Sequence, residues 1–184
     1  MKFISTEIAG VWLIVPEPIE DERGSFARLY CRREFESHGL NAELAQCSAS
    51  FNKRKGTLRG LHYQADPYGE DKIVRCTRGV IFDVIADLRP DSRTFCHWRG
   101  FELTADNPTM VYIPRGVAHG FLTMADNTEI FYQMSEFHHP EASRGVRWDD
   151  PTLNIRWVDK PAVISDQDQG LPWLQQLALT KTHR

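Results

Sequence analysis

Long apolar runs are missing from this chain. The longest, residues 11–15, stops at Pro16, far short of the ~20 residues a membrane-spanning helix requires. Lys2 is followed by Glu7 with no basic, apolar leader between them, so neither a signal peptide nor a membrane anchor is expected, and a cytoplasmic location is. The four cysteines, Cys31, Cys47, Cys76 and Cys96, show no C-x-x-C spacing. They read as reduced thiols, without a zinc site or a disulfide framework. A large charge excess is missing too. With 22 Lys and Arg against 25 Asp and Glu, net charge is -3, so no overall field draws the chain to nucleic acid or an anionic membrane. An anionic ligand would need a local cluster of Arg and Lys. No linker, internal repeat or second composition regime interrupts the 184 residues, which fit one domain over 1–184.

What is present is a succession of short alternating segments. Strands are expected over 11–15, 25–30, 45–51, 57–64, 95–103, 109–113, 119–122 and 128–134. Residues 72–76 and 80–88, joined at Arg78-Gly79, read as a hairpin. In its second arm Val80, Phe82, Val84, Ala86 and Leu88 face one way and Ile81, Asp83, Ile85 and Asp87 the other. Short peripheral helices are expected at 32–38, before Gly39, and at 171–179. Residues 138–144 and 165–170 read as loops, and the stretch from Val146 holds three tryptophans with little periodicity. Many short strands with turns between them argue an all-β sandwich or barrel, and a jelly roll fits best.

One stretch stands apart: Thr57-Leu58-Arg59-Gly60-Leu61-His62-Tyr63-Gln64. It alternates as a strand does, yet carries an arginine, a histidine and a glutamine. A regular pleat puts Leu58, Gly60 and His62 on one face and Arg59, Leu61 and Tyr63 on the other. If Arg59 and His62 serve one site, the strand must bend, bulge or end between them, and Gly60 permits that. Other polar residues interrupt or end strands: Arg23, Gln46, Lys72, His119, Tyr132 and Asp168. In a sandwich they converge on one cavity with a base (His62 or His119), a cation, a weak acid and a carboxylate. That set suits proton transfer at a carbon beside a carbonyl. Singly, each has an ordinary reading: a solvated lysine, a core tyrosine with a satisfied hydroxyl, a turn aspartate.

A metal centre is the competing constellation. Pro114-x-Gly116-x-x-His119 matches the second half-motif of cupins, which supplies a histidine ligand. The first half-motif needs His-x-His followed by Glu, and His62 is followed by Tyr63 and Gln64. One or two imidazoles without a placed carboxylate do not hold a catalytic metal, so no metal and no cofactor are expected.

Four motifs now carry a resemblance: Asp21-Glu22-Arg23-Gly24, Lys55-Gly56-Thr57-Leu58-Arg59-Gly60-Leu61-His62-Tyr63-Gln64, Lys72-Ile73-Val74-Arg75-Cys76 and Ile113-Pro114-Arg115-Gly116-Val117-Ala118-His119-Gly120-Phe121. The chain resembles the nucleotide-sugar 3,5-epimerases typified by dTDP-4-dehydrorhamnose 3,5-epimerase, from about residue 11 to 169. The resemblance implies a cupin-type jelly roll without metal or cofactor, and a homodimer that exchanges an N-terminal segment of about 1–30. The C-terminal tail is about 171–184. It implies His62 as base, Asp168 as its orienting carboxylate, Tyr132 as acid on the opposite face and Lys72 beside the enolate oxygen. Arg23, Phe26, Arg59 and His119 would meet the sugar and diphosphate, with Arg23 and Phe26 entering the partner's pocket. Gln46 and Ser48 would line the nucleotide end.

The chain departs from the family's usual residues at Arg28 (Glu), Ser48 (Asn), His138 (Tyr) and Ser143 (Glu), all at the nucleotide end or rim. Arg28 can only donate, which suits cytosine better than thymine. The expected reaction is epimerisation at C3 and C5 of a nucleoside-diphospho-4-keto-6-deoxyhexose, dTDP-linked on resemblance. The alternatives are a 3- or 5-only epimerase on a different sugar such as a CDP-linked one, a metal-dependent cupin, and a sugar-nucleotide-binding cupin without catalysis.

Overall fold

The protein, seen in a computed structural model that describes residues 1–179, is built from two antiparallel sheets packed face to face. Five residues of the expected C-terminal tail, 180–184, lie outside the described residues. The first sheet contains β1 (Lys2–Ser5), β2 (Trp12–Val15), β5 (Gln46–Asn52), β7 (Lys72–Arg78), β10 (Met110–Ile113) and β12 (Thr128–Met134). Its order is β1-β2-β10-β7-β12-β5. The second contains β6 (Thr57–Gln64), β8 (Val80–Asp87), β9 (Trp98–Thr104), β11 (Val117–Thr123), β13 (Ser143–Gly145) and β14 (Val163–Ile164). Its order is β13-β6-β11-β8-β9, with β14 parallel to β6. A separate two-stranded ribbon joins β3 (Ile19–Asp21) to β4 (Gly24–Phe26). Three short helices, α1 (Arg32–Ser37), α2 (Asp166–Gln169) and α3 (Leu174–Leu179), lie at the periphery.

Three apolar layers follow from the alternation. Val74, Cys76, Val111, Ile113 and Ile130 of the first sheet meet Ile81, Ile85, Leu103, Val117 and Phe121 of the second. The outer face of the first sheet, with Ile14, Ile73, Met110 and Tyr112, is covered by Phe35 of α1. The outer face of the second, with Leu61, Val84, Ala86 and Ala118, is covered by Val146, Leu153 and Leu174. Both parities of β8 are therefore buried, as its expected faces require. Asp150 fastens this cover: its carboxylate accepts from the backbone N–H of Thr152, Leu153 and Leu174.

Several expectations are corrected. Residues 72–88 are not a hairpin. β7 and β8 belong to different sheets, because Gly79, with φ +80°, carries the chain across the sandwich so that both strands present apolar residues to the same core. The strand over 25–30 ends at Phe26. Leu29 and Tyr30 both pack with Phe35, and the Tyr30 hydroxyl donates to the Ala42 carbonyl, so the chain follows the helix instead of a ladder. The strand from 95 begins only at Trp98, after Cys96 takes a left-handed φ of 64°. Residues 138–144 hold a 3-10 turn, Pro140–Ala142, and the start of β13. β1 and β14 were not expected; each is short and stabilised by its neighbour's ladder.

Candidate active site

The site is positioned by a break in β6. Gly60 has φ +109°, and the β6–β11 register slips between the His119↔His62 and Phe121↔Arg59 pairs. His119 and Phe121 share a face of β11, so the slip brings Arg59 and His62 onto the same, inward face. This is the bulge that a joint role for the two residues demands. A side chain at Gly60 would lie 2.6 Å from the Gly120 Cα and 2.7 Å from the His119 carbonyl oxygen. Only glycine allows strands this close together.

Behind His62 stands Asp168. Its Oδ1 is 2.7 Å from His62 Nε2 and its Oδ2 accepts from the Gly60 N–H at 3.1 Å. Asp168 is 6% exposed against 38% for the imidazole, so one edge of the ring is anchored and the other is open. Residues 165–170 are not a plain loop. Ser165 caps α2 by accepting from the Asp168 N–H at 3.1 Å, and this single turn aims the carboxylate at β6. Burial opposes the charge of Asp168. The His62 bond and charge, the Gly60 amide and the Ser165 hydroxyl outweigh it and hold the carboxyl below its usual range.

The opposite wall is the first sheet. Tyr132 pairs with Val74 and Ser48, and Met134 with Lys72 and Gln46. Paired residues share a face, so Gln46, Ser48, Lys72 and Tyr132 all sit on the sheet face that carries Val74 and Ile130 into the core. Burial pushes the Tyr132 phenol well above the usual tyrosine value, and the Asp83 carboxylate adds to this. Arg59 and the Ser50 hydroxyl pull it partly back. Lys72 is not a lone cation: its Nζ lies 2.7 Å from Glu70 Oε1, with side chains 13% and 10% exposed.

His119 is locked differently from His62. Its Nε2 lies 2.6 Å from Asp83 Oδ1, and these side chains are 6% and 0% exposed. Its ring centroid is 6.2 Å from that of Tyr132, edge to face. Arg59 donates from Nε to Asn52 Oδ1 at 2.8 Å. Three residues that sequence reasoning did not select therefore complete the site: Glu70, Asp83 and Asn52. Asp83 was legible only as one of two acids, with Asp87, on the face of its strand that also carries Ile81 and Ile85. Glu70 and Asn52 gave no signal.

The rim residues are more scattered. Gln46 Oε1 accepts from the His138 backbone N–H at 3.0 Å, while Ser143 pairs with Gln64 at the edge of β6. The N-terminal arm is exposed along both of its strands. Arg23 is 85% exposed and bound to Asp21, Phe26 is 75% exposed, and Arg28 pairs with Glu34 at 2.9 Å. Within one chain these three are not brought to His62. Among the described residues no three His, Cys, Asp or Glu side chains cluster so as to hold a metal ion, and no helix is long and apolar enough to cross a membrane.

An imidazole anchored by a carboxylate lies beside an arginine on the inner face of one sheet, and a high-pKa phenol and a lysine lie on the inner face of the other. The arrangement can take a proton from one face of a carbon and return one to the other. Comparison with known proteins agrees. The family model described as dTDP-4-dehydrorhamnose 3,5-epimerase matches residues 5–176. The dTDP-4-dehydrorhamnose 3,5-epimerase of Shigella flexneri is 40% identical over 169 residues, 91% of this chain and 93% of that one. The enzyme of the same name from Bacillus anthracis, solved with TDP and PPi bound, superposes with a TM-score of 0.90 at 37% identity, covering 94% of this chain and 98% of that one. A 3'-monoepimerase from Streptomyces bikiniensis, solved with dTDP-quinovose, gives a TM-score of 0.89 at 30% identity, covering 97% and 90%. The two packed sheets are thus a cupin-type jelly roll, and the chain belongs to the dTDP-4-dehydrorhamnose 3,5-epimerase family.

Proposed function

We propose that this protein epimerises C3 and C5 of a dTDP-linked 4-keto-6-deoxyhexose, converting dTDP-4-dehydro-6-deoxyglucose to dTDP-4-dehydrorhamnose. The observation that carries this reading is the pairing of the His62–Asp168 dyad, 2.7 Å apart with His62 on one sheet and Asp168 on α2 behind it, with Tyr132 on the other sheet. His62 removes the proton beside the ketone, and Asp168 stabilises the imidazolium that forms. The electron pair moves to the C4 oxygen, where Lys72 balances the enolate charge. Tyr132 returns a proton to the opposite face of the carbon, and the phenolate and imidazolium then re-equilibrate with water. A positioned acid or base supplies roughly 10²–10⁴-fold, and a preorganised oxyanion partner about 3 kcal/mol. No step calls on a metal or an organic cofactor.

Substrate binding falls to Arg59 and His119 at the sugar and diphosphate, and to Gln46, Ser48, His138 and Ser143 at the nucleotide end. Arg28 is already held by Glu34, which favours the thymidine reading over one in which its guanidinium selects cytosine. The reading includes a homodimer whose exposed β3–β4 arm delivers Arg23 and Phe26 to the partner's cavity. Proton NMR in deuterium oxide tests the reaction: the enzyme should wash deuterium into C3 and C5 of the keto sugar and invert both centres. Binding of dTDP-sugar without any exchange would leave a non-catalytic carrier and end the epimerase reading; exchange at one centre only would make it a monoepimerase.

A further inference from the structure

Asp83 is a buried acid to which the reaction as described gives no task. It sits on β8, facing inward between Ile81 and Ile85, and is 0% exposed. Its Oδ1 holds His119 at 2.6 Å. Its Oδ2 is the only buried side-chain polar atom among the described residues without a hydrogen-bond partner. A buried acceptor without a donor is destabilising, which points to a use other than structure. His119 of β11 is bonded to it, Tyr132 of β12 stands edge-on to that imidazole, and its charge is felt by Cys76 of β7; its pairing partner on β9 is the apolar Phe101.

On the epimerase reading above, we infer that Asp83 is a positioning residue for the acid half of the reaction: it fixes His119 edge-on to Tyr132 and, through the charge of its buried carboxylate, keeps Tyr132 a phenol except at the moment of proton delivery. The physical cause is like-charge repulsion from a carboxylate that is itself fully buried. When Tyr132 gives its proton to carbon it becomes a phenolate, and a phenolate beside a buried carboxylate is disfavoured. The phenolate therefore takes a proton back from water promptly, and the resting enzyme presents its acid charged for use. The same carboxylate raises the Cys76 thiol, after burial and against two backbone contacts, so its field reaches the first sheet.

The test is a titration of Tyr132 that needs no substrate. Tyrosinate absorbance is recorded for wild type and Asp83→Asn, each with its own Tyr132→Phe partner subtracted. In wild type Tyr132 should remain un-ionised past about pH 10, where an ordinary tyrosine titrates. In Asp83→Asn its midpoint should fall by at least about one pH unit, a tenfold change in acid constant, and the alkaline limb of sugar inversion should fall with it. A folded Asp83→Asn whose Tyr132 midpoint is unmoved overturns the proposal. If Asp83→Asn does not fold, Asp83→Ser, which removes the charge with a smaller side chain, is titrated in its place: a lowered Tyr132 midpoint supports the proposal and an unmoved one overturns it. Failure of the wild type to invert any keto sugar would instead strike the epimerase reading and leave the titration result standing.

Discussion

His62 and Tyr132 face each other with different supports, and their roles separate experimentally. His62→Ala should abolish exchange at both carbons, because one base serves both enolisations. Tyr132→Phe should retain exchange and lose inversion by roughly 10²-fold or more; equal loss of the two activities would speak against the acid role. Asp168 links the same site to stability. Its folded pKa lies below the ordinary value, so its contribution is fully present above the unfolded carboxyl pKa of about 3.9 and fades as pH falls through the folded one. Asp168→Asn should therefore melt below wild type at neutral pH, and the gap should narrow below about pH 4. A gap that is constant through the acid range would contradict this assignment. Of the residues at this scale, His62, Arg59, Lys72, His119 and Tyr132 were legible as polar groups within or at the ends of apolar strands, whereas Asp168, in a polar stretch, was singled out by the resemblance. Glu70 and Asn52 were not, since a polar residue at a strand boundary is ordinary until its partner is known.

Elements decide whether those residues meet. Register does this work in β6: a one-residue slip turns every later side chain to the other face, and Gly60 is where it occurs. Gly60→Ala would force a left-handed φ on alanine and drive its Cβ into the Gly120 and His119 backbone. The expected result is a loss of at least about 2 kcal/mol in chemical denaturation and a larger fall in exchange activity than the remaining folded fraction explains. A variant as stable and as active as wild type would show that the bulge is dispensable. In α2, Ser165 has the same kind of role through its cap on Asp168; Ser165→Ala should cost about 1 kcal/mol. Composition pointed to a polar loop here, because four residues are too few for any periodicity to register as helix.

For the whole molecule the open surface is the N-terminal arm. Ile19 and Phe26 lie opposite each other on the β3–β4 ribbon and are 73% and 75% exposed. A two-stranded ribbon with an exposed apolar pair gains little stability by itself. In solution the protein should have the mass of a dimer by light scattering, and Arg23→Ala should raise KM more than it lowers kcat. An active monomer would falsify strand exchange.

The sequence by itself determined the class of the fold and the alternation of most of its longer strands, and it singled out His62, Tyr132 and Asp168 as candidates for the site. Period-two alternation and misplaced polar groups are local signals, readable along the chain. Tertiary structure decided what depends on residues far apart in it: that Gly79 carries the chain between sheets and does not close a hairpin, that the unpatterned stretch after Val146 roofs the second sheet, and that Lys72 and His119 come with their own carboxylates. A pairing partner is chosen by packing and register across the sandwich, and neither quantity is written in any window of neighbouring residues.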